Sequence, residues 1–136
     1  MKYLGIDYGT KRIGVAVSDD GGKLAFPLKV VATGPAALSE LALLAKEKAV
    51  GGIVIGESRD FKDRPNAVMK DIELMKRDLA ELTGLPVEYE LEFMTSVQAE
   101  RQGKDKRGEG AKASDLDASA AALILQSYLD RRKTVE

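Results

Sequence analysis

The opening of the chain is the feature that most constrains its fold. Residues 2–7 and 12–18 are apolar runs separated by a short turn with Gly9 and Thr10, a pattern typical of two paired β-strands. The first run leads directly into Asp7. A charged carboxylate at the end of a buried strand is costly unless a metal ion, a proton or an ion pair compensates it. The pattern therefore predicts a hairpin that holds a cation at its mouth and, through the cation, a phosphate group.

Composition limits the class of protein and its chemistry. The 136 residues are 44% hydrophobic and 32% charged, which fits one globular domain with its own core. The absence of cysteine and histidine excludes disulfides, thiolate ligands, a serine-histidine-aspartate triad and the usual zinc sites. Catalysis would rest on carboxylates, lysines, hydroxyls or a hard metal ion. No run approaches the roughly 20 apolar residues of a membrane span, and no signal-peptide pattern is present. We therefore expect a cytoplasmic location and no membrane partner.

Positive charge is concentrated in three segments, although the formal net charge is −1. The basic residues of these segments are Arg59, Lys62 and Arg64; Lys104, Lys106, Arg107 and Lys112; and Arg131, Arg132 and Lys133. Local basic patches on a near-neutral protein are compatible with contact to a phosphate backbone. Solvated surface is the common alternative for such mixed charge.

Hydrophobic periodicity predicts the order β-β-β-α-β-α-β-α-α. Strands are predicted at 2–7, 12–18, 23–33, 53–56 and 87–90, and helices from Pro35 to about Lys48, over about 65–83, from about Ser96, and from Ser114 to about Arg132. Three closely spaced strands indicate an antiparallel meander, and the later alternation of helices and strands implies parallel pairing. The expected fold class is α/β: a single domain with a five-stranded mixed sheet flanked by helices. Residues 103–113 contain no apolar residue larger than alanine and are expected to form a flexible loop.

Four carboxylates fall at the ends of predicted elements. They are Asp7, which ends the first strand, Glu57 and Glu92, which follow the fourth and fifth strands, and Asp117, in the first turn of the last helix. Such a set suits a hard divalent ion, which prefers a few oxygen ligands together with water and substrate phosphate. Two such ions about 3.5–4 Å apart can promote phosphodiester cleavage without a histidine.

Side-chain periodicity predicts which faces meet. Asp7 shares a strand face with Tyr3 and Gly5, while the alternate residues point to the opposite face. The residues in line with Asp117 on the last helix are Ala121, Ile124 and Tyr128. We therefore expect this helix face to pack on the sheet and to bring Asp117 near the strand ends.

Each carboxylate also has a structural explanation. Asp117 fits a capping box with Ser114, and Asp7 fits the start of an Asx turn. Glu57 and Glu92 fit exposed loop acids, because some of the chain's 22 acidic residues must flank strands. The joint placement of the four favours the metal site.

The opening segment GIDYGTKRIGVAVSD, from Gly5 to Asp19, and the closing segment DASAAALILQSYL, from Asp117 to Leu129, resemble the YqgF family. Its members are nucleases similar to Holliday junction resolvases and are also described as nucleases that mature pre-16S ribosomal RNA. The resemblance covers nearly the whole chain and implies a ribonuclease H-like fold whose mixed sheet opens with three antiparallel strands. It also implies an endonuclease that uses Mg²⁺ or Mn²⁺, with pre-rRNA or branched DNA as its nucleic-acid partner.

The resemblance assigns roles to individual carboxylates. The family's first acid falls on Asp7, its helix acid on Asp117, and its middle acid, from a motif similar to Asp-Glu-Arg-Leu-Thr-Thr, on Glu92. These three residues are the implied metal ligands. The segment Gly56-Glu57-Ser58 stands where the family usually has Gly-Leu-Pro, and in related resolvases an acid at this strand end binds metal. The resemblance therefore implies that Glu57 supplements or replaces Glu92 as a catalytic residue.

The middle motif also departs from the family. Leu91 and Phe93 stand where the family has an aspartate and an arginine, while the hydroxyls of Thr95 and Ser96 are retained. This departure indicates a divergent branch and leaves the substrate open. The residues expected to contact the substrate are Lys11, Arg12, Thr95, Lys104, Lys106 and Arg107.

Two other functions stay open beside the nuclease. The sequence from Asp7 to Thr10 also resembles the first phosphate hairpin of actin-like and sugar-kinase proteins, although those proteins need two such domains and the chain supplies one. The altered middle motif is compatible with a non-catalytic module that binds nucleic acid in ribosome biogenesis. The sequence does not determine whether the substrate is RNA or DNA, or whether the protein is a monomer or a homodimer.

Overall fold

The computed structural model describes residues 1–9, 11–56, 66–90 and 113–135, without the helix side chains at 66–69, 113–117 and 133–135. The elements in these ranges are β1 (Tyr3–Asp7), β2 (Arg12–Ser18), β3 (Ala25–Ala32), α1 (Ala37–Glu47), β4 (Gly52–Gly56), α2 (Asn66–Thr83), β5 (Val87–Glu90) and α3 (Ala113–Val135). The predicted short helix from about Ser96 and the predicted loop up to residue 112 lie outside the described residues, and residue 113 is the first of α3.

The five strands form one mixed sheet in the order β3-β2-β1-β4-β5. The pairs β1–β2 and β2–β3 are antiparallel, and the pairs β1–β4 and β4–β5 are parallel. This arrangement confirms the predicted α/β class and the predicted change from antiparallel to parallel pairing. Strand β1 is central and hydrogen-bonded to a strand on each side. Its carboxyl end, with Asp7, therefore has neighbouring strands on both sides.

One face of the sheet packs against α1 and α2. Leu4 and Ile6 of β1 point to this face and are fully buried, as the alternation along the strand predicts. The helices contribute the buried side chains Leu41, Leu44, Ile72 and Leu79. This cluster is the larger of the two hydrophobic cores formed by the described residues.

The opposite face of the sheet packs against α3. Tyr3, Ala16 and Val54 supply the strand side of this second cluster. The buried residues of α3 in it are Ala121, Ile124, Leu125, Tyr128 and Leu129. The predicted packing face of the last helix is therefore confirmed, and the fold has three layers with the sheet in the middle.

Helix α1 begins two residues later than the sequence predicts. The helix starts at Ala37 rather than at Pro35, because the N–H of Ala37 donates to the carbonyl oxygen of Gly34 at 3.0 Å. This hydrogen bond closes a turn that includes Pro35. The fixed φ of proline suits the turn as well as it suits a first helical position.

Strand β3 is shorter than predicted at its amino end. The carboxylate of Asp19 accepts the backbone N–H groups of Lys23 at 2.7 Å and of Leu24 at 3.2 Å. These donors belong to the turn, so the strand begins at Ala25. The same two bonds, with that of Lys23 the stronger, lower the pKa of the Asp19 carboxyl. No helix in the described ranges is long and apolar enough to cross a membrane.

Candidate active site at the carboxyl end of β1

Asp7 is a nearly buried carboxylate between two glycines. It ends β1, is 8% exposed, and is in register with Gly14 of β2 and Gly56 of β4. Neither neighbour places a side chain beside the carboxylate. A Cβ added at Gly56 would lie 2.7 Å from Ile124 Cγ2 and 2.8 Å from the backbone oxygen of Glu90. Helix α3 therefore approaches the sheet closely at Gly56, beside Asp7.

Helix α3 runs antiparallel to β1 across the face that Asp7 shares with Tyr3. The rings of Tyr3 and Tyr128 meet edge to face, with centroids 5.6 Å apart. Two residues further along β1, a Cβ on Gly5 would lie 2.7 Å from Leu125 Cβ and 3.3 Å from the carbonyl oxygen of Ala121. The contacts therefore step toward the amino end of α3 as β1 approaches Asp7.

Because α3 runs antiparallel to β1, the α3 backbone at residue 117 lies toward the carboxyl end of β1. One further helical turn before Ala121 covers about 6 Å, close to the ~6.6 Å between alternate residues of a strand. The backbone of Asp117 thus continues the line of contacts toward Asp7. The side chain of Asp117 is not described, and its part in the site stays a prediction from the sequence.

The β1–β2 turn is held by hydrogen bonds on both sides. The N–H of Tyr8 donates to the carbonyl oxygen of Gly56 at 3.0 Å, and the hydroxyl of Thr33 donates to that of Gly9 at 2.8 Å. A Cβ on Gly9 would collide with the backbone oxygen of Arg12, so this turn requires glycine. Lys11 and Arg12 are exposed at the turn.

Tyr8 is a poor candidate for a general base, although it adjoins Asp7. Burial, and then the negative charge of Asp71, raise the pKa of its phenol above the ordinary value. The phenol is therefore neutral near physiological pH and offers a proton rather than accepting one.

Glu90 is a buried carboxylate that the sequence analysis did not single out. It ends β5, is 3% exposed, and is in register with Gly56, in the same cross-strand row as Asp7. Its Oε1 accepts a hydrogen bond from Arg131 Nη2 at 2.5 Å, and its Oε2 accepts one from the Ser127 hydroxyl at 3.2 Å. The alternation in Val-Glu-Tyr-Glu places two glutamates on one face of the strand and could have drawn attention to Glu90. The sequence pattern does not show that α3 covers this face.

Glu88 is bound to the same helix. The hydroxyl of Tyr128 donates to Glu88 Oε2 at 2.7 Å. Burial of the ring, then the hydrogen bond and the charge of Glu88, raise the pKa of Tyr128 well above its ordinary value. Both α3-facing side chains of β5 are therefore engaged by α3.

The structure describes part of the predicted site. The carboxyl end of β1 carries Asp7, and the turn that follows it carries Lys11 and Arg12. The backbone of Asp117 continues the line of α3 toward the same end of the sheet. The predicted site residues outside the described ranges are Glu57, Glu92, Thr95, Lys104, Lys106 and Arg107. Among the described side chains, no group of three acids is placed to hold a metal ion. The described part of the site therefore provides one candidate ligand, Asp7, which is paired on both neighbouring strands with a glycine.

The sequence matches a known family over almost its whole length. The model of the RuvX family, described as Holliday junction resolvase, matches residues 1–131. A relative from Nitratidesulfovibrio vulgaris is 38% identical over 133 residues, which cover 96% of this chain and 94% of the relative. A relative from Streptococcus mutans is 37% identical over 139 residues, with 96% and 99% covered. Both relatives carry the name "Putative pre-16S rRNA nuclease".

Solved structures of similar architecture include RuvC and a viral Holliday junction resolvase. RuvC of Thermus thermophilus superposes with a TM-score of 0.61 at 18% identity, over 98% of this chain and 97% of that one. The fowlpox virus Holliday junction resolvase superposes with a TM-score of 0.56 at 11% identity, over 96% and 99%. At these identities the likeness shows a shared fold, and it confirms the expected ribonuclease H-like architecture.

Proposed function

The chain belongs to the RuvX family of Holliday junction resolvases, and from that membership we propose that it is a divalent-metal-dependent endonuclease that hydrolyses phosphodiester bonds in nucleic acid. One observation carries the proposal: the nearly buried Asp7 ends the central strand between two glycines. A nearly buried carboxylate at the end of a central strand, paired with a glycine on each neighbouring strand, suits a hard cation.

The substrate is either the 5′ region of pre-16S ribosomal RNA or branched DNA. The names of relatives at 37–38% identity support the first, and the description of the family supports the second. We propose action in the cytoplasm, where both substrates would be met.

The carboxylates proposed to hold the metal are Asp7, Asp117 and Glu92, with Glu57 as a supplement or replacement for Glu92. A divalent ion, Mg²⁺ or Mn²⁺, bound by these oxygens would supply Lewis acidity toward phosphate and water, and the family's resolvase chemistry suits a pair of such ions. Asp7 takes part as an ionised oxygen ligand. Gly14 and Gly56 place no side chain of their own beside it, and hydrogen bonds on both sides of the central strand fix the backbone that carries it.

Cationic side chains are proposed to hold the substrate backbone. Lys11 and Arg12 lie exposed at the turn that follows Asp7, where they can bind phosphates that flank the scissile bond. Thr95 and the basic residues Lys104, Lys106 and Arg107 are proposed to extend this contact. Substitution of Arg12 should weaken binding of all sequences alike, because phosphate contacts carry no sequence information.

The test compares cleavage by the parent chain and by Asp7→Asn. A 5′-extended 16S rRNA precursor and a four-way DNA junction are incubated with each protein in Mg²⁺ or Mn²⁺. We expect the parent to cut one of them, EDTA to stop the reaction, and Asp7→Asn to cut at least about 100-fold more slowly, because a neutral amide is a poor ligand for a hard ion. The matched control is Asp20→Asn, at the opposite end of the sheet with 96% of its side chain exposed. Cleavage by Asp7→Asn at the rate of the Asp20→Asn control would contradict the proposal.

A non-catalytic role in ribosome biogenesis is the second candidate. Leu91 and Phe93, at positions where the family has charged residues, favour it. On this alternative the folded parent binds nucleic acid without cutting it, and neither EDTA nor Asp7→Asn weakens the binding. The same experiment therefore separates the two functions.

A further inference from the structure

Thr33 binds both arms of the turn between β1 and β2. Its hydroxyl donates to the carbonyl oxygen of Gly9 at 2.8 Å, and its backbone N–H donates to the carbonyl oxygen of Lys11 at 3.1 Å. Gly9 lies just after the end of β1, and Lys11 directly precedes β2. One residue therefore holds the chain on each side of the turn that follows Asp7.

The elements before and after Thr33 fix its own position. Thr33 directly follows β3, which pairs with β2 in antiparallel register up to Arg12. The bond from the Thr33 N–H to Lys11 thus continues this pairing beyond the strands. After Thr33, the bond from the N–H of Ala37 to the carbonyl oxygen of Gly34 closes the turn into α1, whose first residue, Ala37, is buried. The Thr33 hydroxyl is therefore a donor that the core of the domain holds in place.

The hydroxyl bond supports a turn in which Gly9 has no side chain to offer. A Cβ at Gly9 would collide with the backbone oxygen of Arg12, so the glycine is required and the support has to come from another residue. The bond from Thr33 is partly buried. A carbonyl oxygen that loses its donor in such a place is unfavourable, and it favours conformations that turn it toward water. Loss of the hydroxyl therefore moves the backbone that carries Lys11.

Lys11 is the cation that depends most directly on this turn. Its side chain is exposed, and its own carbonyl oxygen is one of the two that Thr33 binds. A lysine binds phosphate as a compact charge at the end of a flexible four-carbon stem. Ordering that stem on binding costs conformational entropy, and a fixed backbone reduces what remains to be ordered. The affinity gained from Lys11 is therefore sensitive to the position of the turn.

We propose that Thr33 is a positioning residue for substrate binding: its hydroxyl bond to Gly9 fixes the turn so that Lys11 meets a backbone phosphate of the bound nucleic acid. The inference rests on the proposed function for the role of Lys11. Thr33 acts through the turn and does not itself touch the substrate. Because a phosphate contact carries no base information, the effect is the same for every nucleotide sequence.

The test is a double-mutant cycle on nucleic-acid binding, measured without cleavage. A fluorescently labelled four-way DNA junction and a labelled 5′-extended 16S rRNA precursor are titrated with the full chain in EDTA, and the probe that binds more tightly is used throughout. Thr33→Val keeps the shape of the side chain and removes its hydroxyl. We expect it to raise the Kd by about fivefold, the factor that a typical hydrogen bond contributes. In the Lys11→Gln background, the same substitution should change the Kd by less than about twofold, because the contact that it serves is already gone.

Two other hydroxyl variants are matched controls. Thr33→Ser keeps the donor, and we expect its Kd to stay within about twofold of the parent value. Thr83→Val removes the hydroxyl bond of 2.6 Å to the carbonyl oxygen of Leu79 at the end of α2, and we expect lower stability with an unchanged Kd. Thr33→Ala has the same expected outcome as Thr33→Val and replaces it if the valine variant fails to fold. Urea unfolding of each variant reports its stability.

An unchanged Kd in Thr33→Val overturns the inference, and so does an equal rise in the Lys11→Gln background. A rise in Thr33→Ser or Thr83→Val that matches the rise in Thr33→Val also overturns it, because loss of the hydroxyl bond to Gly9 would then not be the cause. The same holds for a parent chain that binds neither probe at micromolar concentration. A parent chain that binds a probe and cuts neither substrate in Mg²⁺ or Mn²⁺ contradicts the nuclease function, while the cycle still decides the role of Thr33.

Discussion

Replacement of Gly5 by alanine tests the close approach of α3 to the central strand. The added Cβ would lie 2.7 Å from Leu125 Cβ, 3.2 Å from Leu125 Cδ2 and 3.3 Å from the carbonyl oxygen of Ala121. Carbon atoms pack best about 3.5–4.0 Å apart. The nearest contact is therefore about 1 Å too short. Because the obstacles are a Cβ and a backbone oxygen, no change of rotamer removes them, and α3 has to move away from β1.

The expected loss of stability follows from this displacement. Overpacking a close-packed core costs about 1–3 kcal/mol, and movement of a whole helix places Gly5→Ala at about 3 kcal/mol. With a urea dependence of about 2 kcal/mol per molar for a small domain, the midpoint of unfolding should fall by about 1.5 M. Equilibrium unfolding followed by circular dichroism measures it.

Two further variants make the result decisive. Gly21→Ala is the matched control: a Cβ there meets Lys23 Cγ at 4.0 Å, and we expect a change within about 0.5 kcal/mol. Addition of Leu125→Ala to Gly5→Ala should not restore stability, since Leu125→Ala keeps the Cβ that obstructs. A Gly5→Ala midpoint equal to that of the control, or rescue by Leu125→Ala, would refute the reasoning.

Three other perturbations have defined outcomes. The pKa of Tyr128 is raised in the folded protein, so the neutral phenol contributes stability that is complete below the unfolded pKa near 10. This contribution is lost as the pH rises toward the folded pKa. In urea unfolding, the free energy of the parent should therefore fall between pH 10 and 11 by up to about 1.4 kcal/mol more than that of Tyr128→Phe. The pKa of Asp19 is lowered in the folded protein, so its carboxylate contributes stability above the unfolded pKa near 4, and this stability is lost as the pH falls through the folded pKa. At pH 7 the melting temperature of Asp19→Ala should lie below that of the parent, and in acid the two melting temperatures should converge. Gly56→Ala should lower the free energy of unfolding in urea by about 2–3 kcal/mol, because the new Cβ meets Ile124 and the backbone oxygen of Glu90. A loss below about 0.5 kcal/mol would contradict that contact.

Local patterns predicted the layers of the fold well. Alternation along β1 placed Leu4 and Ile6 on one face and Tyr3 on the other, and the helical period placed Ile124 and Tyr128 on the packing face of α3. These periods are properties of the backbone, and tertiary contacts do not change them. The same periods could not fix element ends, since α1 begins where a hydrogen bond to Gly34 closes the preceding turn.

The buried carboxylate of Glu90 shows what local patterns leave out. Val-Glu-Tyr-Glu is typical of a strand with one solvated face, but α3 covers the face that carries the glutamates. Burial became acceptable because Arg131 and Ser127, about 40 residues away in sequence, supply charge and hydrogen bonds. Asp7 was easier to find, because its strand, the turn that follows it and Gly14 on the next strand are all close to it in sequence. The proposed roles of the other site residues stay predictions.

The position of α3 in the chain has a consequence for synthesis. The sheet face under α3 includes Tyr3, Ala16 and Val54, which emerge from the ribosome long before residues 113–135 do. At about 5–20 residues per second, the interval between β2 and α3 is about 5–20 s. During that time this apolar face has no helix to cover it, and the proposed site lacks Asp117. A nascent chain of the proposed nuclease is therefore inactive until its last described helix has been made, and it exposes a surface that chaperones would recognise.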